Sequence, residues 1–409
     1  MEQIVSKIKD LPPVRTILSI IWNDPIGRVA TVVTTYLVVV ATLRFQRLRS
    51  VQRQYRQYAT RDGMATMTVH DAWEIQKRMQ QLEYPTLAVK ALQFALFRTY
   101  GIPSISSLLL KTSQFSNLST SFKRYADTSI LIAQFILFEP SSDRAVTALA
   151  RTKYLHVGYR ASGAILDDDL LYTLSLFVLQ PIRFIAQFEW RAMSDLERCA
   201  IATYWKYLGD ALDISYDALP SGKTGFRDGL HFLEELEEWS VRYEKRNMVP
   251  NAANKALADR TMDVMLYTLP RGMKHIGLRY DRPSRIYCWI FNSIMGIRRL
   301  LLRYCMLPRP YFLRTVITTD HRNDQGRYHV RVWSGAPYYV QPTFRNRWGP
   351  SAWFSRLLGL PVPGDEGEKY SPHGYEPADL GPKAFEGKGH KTVQDIKGEL
   401  ACLSKLPFA

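Results

Sequence analysis

The chain has 409 residues, 46% hydrophobic and 12% aromatic, enough apolar side chain to bury one large core or two smaller ones and too much for a disordered chain. Its formal charge of +16 suits an anionic partner, but no zinc-finger spacing or aromatic RNA-recognition signature accompanies it. The basic residues adjoin apolar segments, so a phospholipid surface is expected rather than nucleic acid.

Residues 1–60 form an arm with nine Lys/Arg against three Asp/Glu. Between Arg28 and Arg44 lies VATVVTTYLVVVATL, residues 29–43, fifteen residues without a charge. A full span usually takes about 17 to 25 residues, so this one is short, but flanking arginines can snorkel and a thin bilayer such as that of the endoplasmic reticulum (ER) suits it. RFQRLRSVQRQYR comes next instead of a cleavage site, so an uncleaved single-pass anchor is expected. The arginine cluster after residue 43 places the carboxy-terminal side in the cytosol by the positive-inside rule. A buried β-branched segment and a basic amphipathic surface helix are the alternatives.

From residue 61 to 308, apolar residues recur at three and four, with breaks at Gly101 to Pro103, Pro140 to Asp143 and Pro220 to Gly225. The fold class read from this pattern is all-α, a helical bundle. RIYCWIFNSIMGIRRLLLRYCML, residues 285–307, contains a twelve-residue uncharged run that suits a core or interfacial helix better than a second span. Residues 309–362 are aromatic and basic, and HRNDQGRYHVRVW and APYYVQPTFRNRW there suggest short strands around turns. Residues 363–409 are a Pro/Gly-rich polar tail expected to wrap the surface or to be partly disordered. The four cysteines, Cys199, Cys288, Cys305 and Cys402, form no CxxC pair, which favours free thiols.

Several motifs fail. SGKTG at 221–225 would need its first phosphate-loop glycine at Asp217. Asp167, Asp168 and Asp169 are consecutive rather than spaced as DDxxD, so they read as a helix-start acidic cluster. HExxH, ExxH and GxSxG are absent from the sequence. Any chemistry then rests on isolated histidines and their neighbours.

Two helical stretches stand out. In KRYADTSILIAQFILF, residues 123–138, Arg124, Thr128, Leu131 and Phe135 fall on one stripe with Asp127 at its edge. In RAVTALARTKYLHVGYR, residues 144–160, His156 shares a stripe of small or apolar residues with Ala145, Leu149 and Thr152, while Arg144, Thr147, Arg151 and Tyr154 occupy another. A buried neutral imidazole is a good iron ligand and equally a common core residue; spacing does not choose between them. Arg124 and Asp127 can form an i, i+3 ion pair, and Thr128 can bond back to the preceding turn.

Together with LYTLSLFVLQPIRFIAQFEWRAMSDLE and LGDALDI, these stretches resemble the family that unites bacterial latex-clearing rubber oxygenases with the fungal membrane-bound MpaB-type oxygenases, over roughly residues 85–280. The anchor favours the fungal branch. The resemblance implies a b-type haem held by one proximal histidine, beside an arginine and a threonine four residues apart. Arg124 and Thr128 carry that spacing, and His156 falls near the ligand's place. Asp127 stands where the bacterial enzymes commonly have lysine, and no upstream glutamate matches their base.

The expected protein is a membrane-anchored oxygenase that uses O₂ to cleave a carbon–carbon double bond of an isoprenoid, farnesyl-like chain. His156 would bind the iron, with His231 and His275 as alternatives. Arg124 would stabilise negative charge or pair with a propionate, Thr128 would donate a hydrogen bond, and Asp127 would orient Arg124. The rival readings are a non-catalytic membrane-tethered interaction protein and a haem-independent, magnesium-using isoprenoid enzyme centred on Asp167 to Asp169. Oligomeric state is open.

Overall fold

The computed structural model describes residues 24–112, 118–266, 285–333 and 335–403. The first helix among the described residues, α1 (Pro25–Arg44), starts where Asp24 accepts from the backbone N–H groups of Ile26 and Gly27, with Pro25 preset for the first turn. Its 20 residues amount to about 30 Å, enough to cross a hydrocarbon core, so the helix outruns the fifteen uncharged residues. Almost nothing covers it: Ile26 is 78% exposed and Val32 69%. A bend at Phe45 leads into α2 (Gln46–Gln54), and Arg47 then pairs with Glu83 at 2.7 Å.

The bundle proper begins with α3 (Val69–Arg78), α4 (Pro85–Thr99) and α5 (Pro103–Lys111), and continues through α6 (Leu118–Leu137), α7 (Asp143–Ala161) and α8 (Asp167–Phe188). The helices α9 (Asp195–Ala211), α10 (Gly229–Asn247) and α11 (Ala252–Leu266) complete it. Capping side chains set several boundaries. Ser142 accepts from Ala145 to open α7, Ser194 and Glu197 form a capping box on α9, and Asp228 accepts from His231 to open α10. Asp167 to Asp169 supply the first turn of α8, where negative charge meets the positive helix end. α8 packs along α4, α9 lies between α3 and α10, and α6 pairs with α7. The core between them is fully enclosed at Leu171, Tyr172, Tyr204 and Phe232.

Beyond the bundle come α12 (Arg285–Leu300), α13 (Pro350–Leu357) and α14 (His390–Leu403). The short strands expected between 309 and 362 do not form. Among the described residues there are only the isolated bridges Thr318 to Val330 and Tyr328 to Tyr375. Prolines at 308, 310, 337, 342 and 350 lack the N–H that a ladder requires, so irregular backbone is held here by side chains.

Those side chains come largely from α7. Arg151, with no exposed surface, donates to the carbonyls of Leu380 at 2.9 Å, Phe385 at 2.8 Å and Lys388 at 2.8 Å. Arg144 donates to Gln134, to the Thr319 carbonyl at 2.7 Å and to the Thr318 hydroxyl at 3.0 Å, with its guanidinium over the rings of Phe138 and Tyr328. Gly389, at φ +77°, lies so close to Tyr154 that a Cβ would overlap the ring. α14 closes over α7, burying Val393, Ile396 and Leu400. The polar tail is therefore a packed wrap as far as Leu403. The Arg144, Arg151 and Tyr154 stripe faces this wrap, which frees the His156 stripe to face elsewhere.

Replacing Arg151 with Met leaves three carbonyls without donors, at roughly 1 to 3 kcal/mol for each abandoned group. We expect a large fall in the denaturation midpoint, and limited proteolysis that releases fragments beginning beyond residue 361. The half-exposed Arg183→Ala should change stability by no more than about 0.5 kcal/mol.

Candidate active site

α6 presents two different faces to two different surroundings. Lys123 and Asp127, one turn apart, point under the carboxy-terminal wrap. Asp127 is ion-paired with Lys123 at 2.7 Å, accepts from the Tyr339 hydroxyl at 2.7 Å and from the Gly381 N–H at 3.3 Å, and is 1% exposed. Asp127 therefore does not orient Arg124 as the sequence suggested; its ionic partner is the lysine at i−4, which also donates to the Gly381 carbonyl at 2.9 Å.

Arg124 and Thr128 form the neighbouring stripe. Arg124 is half-buried, and among the described residues it has no carboxylate and no hydrogen-bond acceptor. Thr128 is also half-buried and makes no bond back to the preceding turn, whereas Thr152 does bond to the Ala148 carbonyl, at 2.9 Å. The charge of Arg124 reaches the hydroxyl of Tyr100 at the end of α4 and the imidazole of His156 on α7.

His156 thus lies within the electrostatic reach of Arg124 across the α6–α7 pair. Desolvation, followed by the positive charges of Arg124 and Arg160, lowers its pKa from 6.5 to about 4. Arg160 is itself fixed, donating to the carbonyls of Leu212 at 2.9 Å and Asp213 at 3.0 Å. At neutral pH the ring is uncharged, and neither nitrogen has a hydrogen-bond partner among the described residues. His231 is the opposite case: Nδ1 accepts from the Arg227 N–H at 3.1 Å and Nε2 lies 3.0 Å from Glu235. It is a satisfied capping-turn residue. His275 lies outside the described residues.

An imidazole and a cation that act on one another across α6 and α7, with the Thr128 hydroxyl one turn along α6 from the cation, thus lack hydrogen-bond partners among the described residues, which suits a ligand site. Sequence reasoning missed Tyr100, whose position just before a Gly-Ile-Pro break carries no signal of the contact. It also missed a row of rings leading away from it. Tyr100 meets Phe97 at 5.8 Å between centroids, and the row continues through Phe94 at 6.5 Å, Phe184 at 5.1 Å and Phe188 at 5.6 Å to Phe291 on α12 at 5.8 Å. Four half-buried rings and one exposed ring so connect Tyr100 to α12.

The alternative acidic cluster does not converge. Asp169 accepts from Ser104 at 3.0 Å and Tyr243 at 2.6 Å, while Asp167 accepts from Arg160 at 3.2 Å. Among the described residues His70, Asp71 and Glu74 are close enough to share an ion, but Tyr58 and Tyr55 already donate to the two carboxylates.

Comparison with known proteins places this arrangement in context. The chain is 49% identical over 390 residues to "ER-bound oxygenase mpaB'" of Penicillium brevicompactum, covering 91% of this chain and 92% of the relative. It is 49% identical over 339 residues to "ER-bound oxygenase mpaB" of the same species, covering 83% and 84%. With "ER-bound oxygenase mpaB" of Penicillium roqueforti it shares 57% over 245 residues, covering 60% of this chain and 82% of the relative. No protein-family model and no solved structure matches.

Because Arg124 repels a proton on His156, Arg124→Ala should raise the imidazole pKa above about 4, toward but not to 6.5, since burial remains the larger cause. The readout is histidine NMR titration of protein without added cofactor. In the wild type, the unfolded chain binds the extra proton as pH falls from about 6.5 to 4, so this group's contribution to stability is lost across that window; the variant should lose less.

Proposed function

The chain belongs to the family of ER-bound MpaB-type oxygenases, and we propose that it is a membrane-anchored haem enzyme that uses O₂ to cleave a carbon–carbon double bond of an isoprenoid, farnesyl-like chain in fungal secondary metabolism. Oxygenase activity and ER attachment come with family membership. The observation that carries the finer reading is the electrostatic effect of Arg124 on His156, with Thr128 one turn from Arg124 on the same helix, all three half-buried and without a hydrogen-bond partner among the described residues.

Those residues fit a b-type haem. A neutral imidazole with an uncommitted nitrogen is a good axial ligand, and a half-buried cation without a carboxylate suits an anionic propionate or developing charge on oxygen. Haem bound here would supply the iron at which dioxygen is activated. Arg124 contributes a positive charge already in position, so no reorganisation is needed as negative charge develops. Thr128, one turn along, can donate a hydrogen bond to the same region. In the overall change the double bond breaks and each carbon receives one oxygen atom of O₂, leaving two carbonyl fragments. The ring row from Tyr100 to Phe291 supports an apolar substrate, because it offers stacking and packing surface without a charge to desolvate.

The span Pro25–Arg44 serves as the single-pass anchor, with the bundle in the cytosol on the side of the arginine cluster. An isoprenoid substrate partitions into the same bilayer. Free thiols at Cys199, Cys288 and Cys305 agree with a reducing compartment.

His156→Ala should lose the Soret band and the pyridine-haemochrome signal of detergent-extracted protein; full haem retention would reject His156 as the ligand. Arg124→Ala should keep most haem yet lose about 10² to 10³ in turnover, the usual cost of a pre-aimed charge. Arg124→Lys should fall between, because it keeps charge and loses the planar fork. Under ¹⁸O₂, with water exchange controlled, both fragments of a farnesyl-bearing substrate should carry label.

Orientation has its own reporter in the sequon at Asn117, which lies outside the described residues. Protease should digest the bundle in intact microsomes, and Asn117 should carry no glycan. Protection from protease, or glycosylation, would reverse the topology.

A further inference from the structure

We propose that residues 285–313, beginning with α12, lie within the cytosolic leaflet beside α1 and form a second, in-plane membrane attachment. The surface points outward from the bundle. Ile286, Trp289, Ile290 and Ile297 share one side of α12, with exposures from 40% at Ile290 to 70% at Trp289, and Leu301 and Tyr304 are exposed on the π-helical turn Leu301–Cys305 that follows. The opposite side is tied down: Phe291 meets Phe188 edge-on, and Arg298 pairs with Glu189 at 2.9 Å. The apolar stripe is therefore held away from the protein core.

Depth along the anchor argues for lipid as the occupant. The Tyr36 hydroxyl donates to the Cys305 carbonyl at 2.8 Å. Tyr36 precedes Arg44 by two turns of α1, about 12 Å at the helical rise, so the end of this segment sits beside the hydrocarbon-facing part of the anchor. Four residues later the chain is back at the polar boundary, where Arg47 donates to the Arg309 carbonyl and pairs with Glu83. The helical turns up to Cys305 satisfy their own backbone and tolerate such a position, and the terminal Cys305 carbonyl is capped by Tyr36.

Charge follows the same division. Residues 285–313 contain no Asp or Glu, while Arg299, Arg303 and Arg309 can reach anionic headgroups from the rim of the apolar stripe. Tyr311 and Phe312, 68% and 79% exposed, extend the aromatic interface beyond the helix. A second copy of the chain would have to cover α12 beside a span already surrounded by acyl chains, so lipid is the occupant that both elements share.

The inference rests on α1 being the anchor, and is independent of the haem chemistry. The test uses the full chain in nanodiscs of phosphatidylcholine and phosphatidylserine, with native cysteines replaced and a spin label placed singly through Ile290→Cys or Ile297→Cys. Val33→Cys on α1 and Glu238→Cys on the exposed side of α10 serve as lipid and aqueous references. Collisions with oxygen should exceed collisions with a water-soluble nickel chelate severalfold at 290 and 297, as at Val33, with the opposite order at Glu238. A nickel preference at 290 and 297 with a lipid-like Val33 would overturn this inference and leave the anchor standing. A nickel preference at all three would overturn both. Close dipolar coupling between labels on two chains, unchanged by lipid composition, would assign the face to a second copy and would also overturn it.

Discussion

Arg151 is the contact on which the arrangement of this protein turns. Its guanidinium is wholly buried and makes no direct ion pair among the described residues; three backbone carbonyls from a segment more than two hundred residues away accept its hydrogen bonds, and Asp379 acts on it only at longer range. A buried cation so held is costly to expose, and the carbonyls that hold it are costly to strand. The wrap and α7 are consequently committed to each other. Since α7 also carries His156, the position of that imidazole depends on a segment that makes no hydrogen bond to it among the described residues.

The same division operates on α6. Lys123, Arg124, Asp127 and Thr128 occupy barely more than one turn, yet the first and third neutralise one another beneath Tyr339 and Gly381. Pairing with Lys123 removes the acid that would otherwise quench Arg124. The positive field left at Arg124 then reaches His156 and helps to keep its imidazole unprotonated. A structural ion pair and a cation without an ion-pair partner among the described residues are thus produced by adjacent side chains of one helix.

Periodicity made much of this legible. The helical bundle, the helix-start role of Asp167 to Asp169, the stripe shared by Arg124 and Thr128, and the two faces of α7 can all be read from spacings of three and four. What spacing could not convey was the identity of long-range partners. Asp127 lies within reach of both Lys123 and Arg124 on any helical wheel, and only the wrap of residues 336–389 decides between them. The strands expected after Pro308 were misread because alternating aromatics usually pair backbones, whereas here proline-interrupted backbone is fastened by Arg144 and Arg151. The electrostatic effect of Arg124 on Tyr100 links two helices without any local motif.

The dependence of α7 on the carboxy-terminal wrap has a consequence for the order of events during synthesis. At a translation rate of roughly 5 to 20 residues per second, the interval between the appearance of Arg151 and that of Lys388 is on the order of ten to fifty seconds. Throughout it, Arg144 and Arg151 lack the carbonyls that later enclose them. The apolar helix Pro25–Arg44 is made before either of them. Maturation is therefore vectorial: the central helix is made well before the segment that fixes it, and the face that carries His156 acquires its final support only once residues 380–388 have emerged.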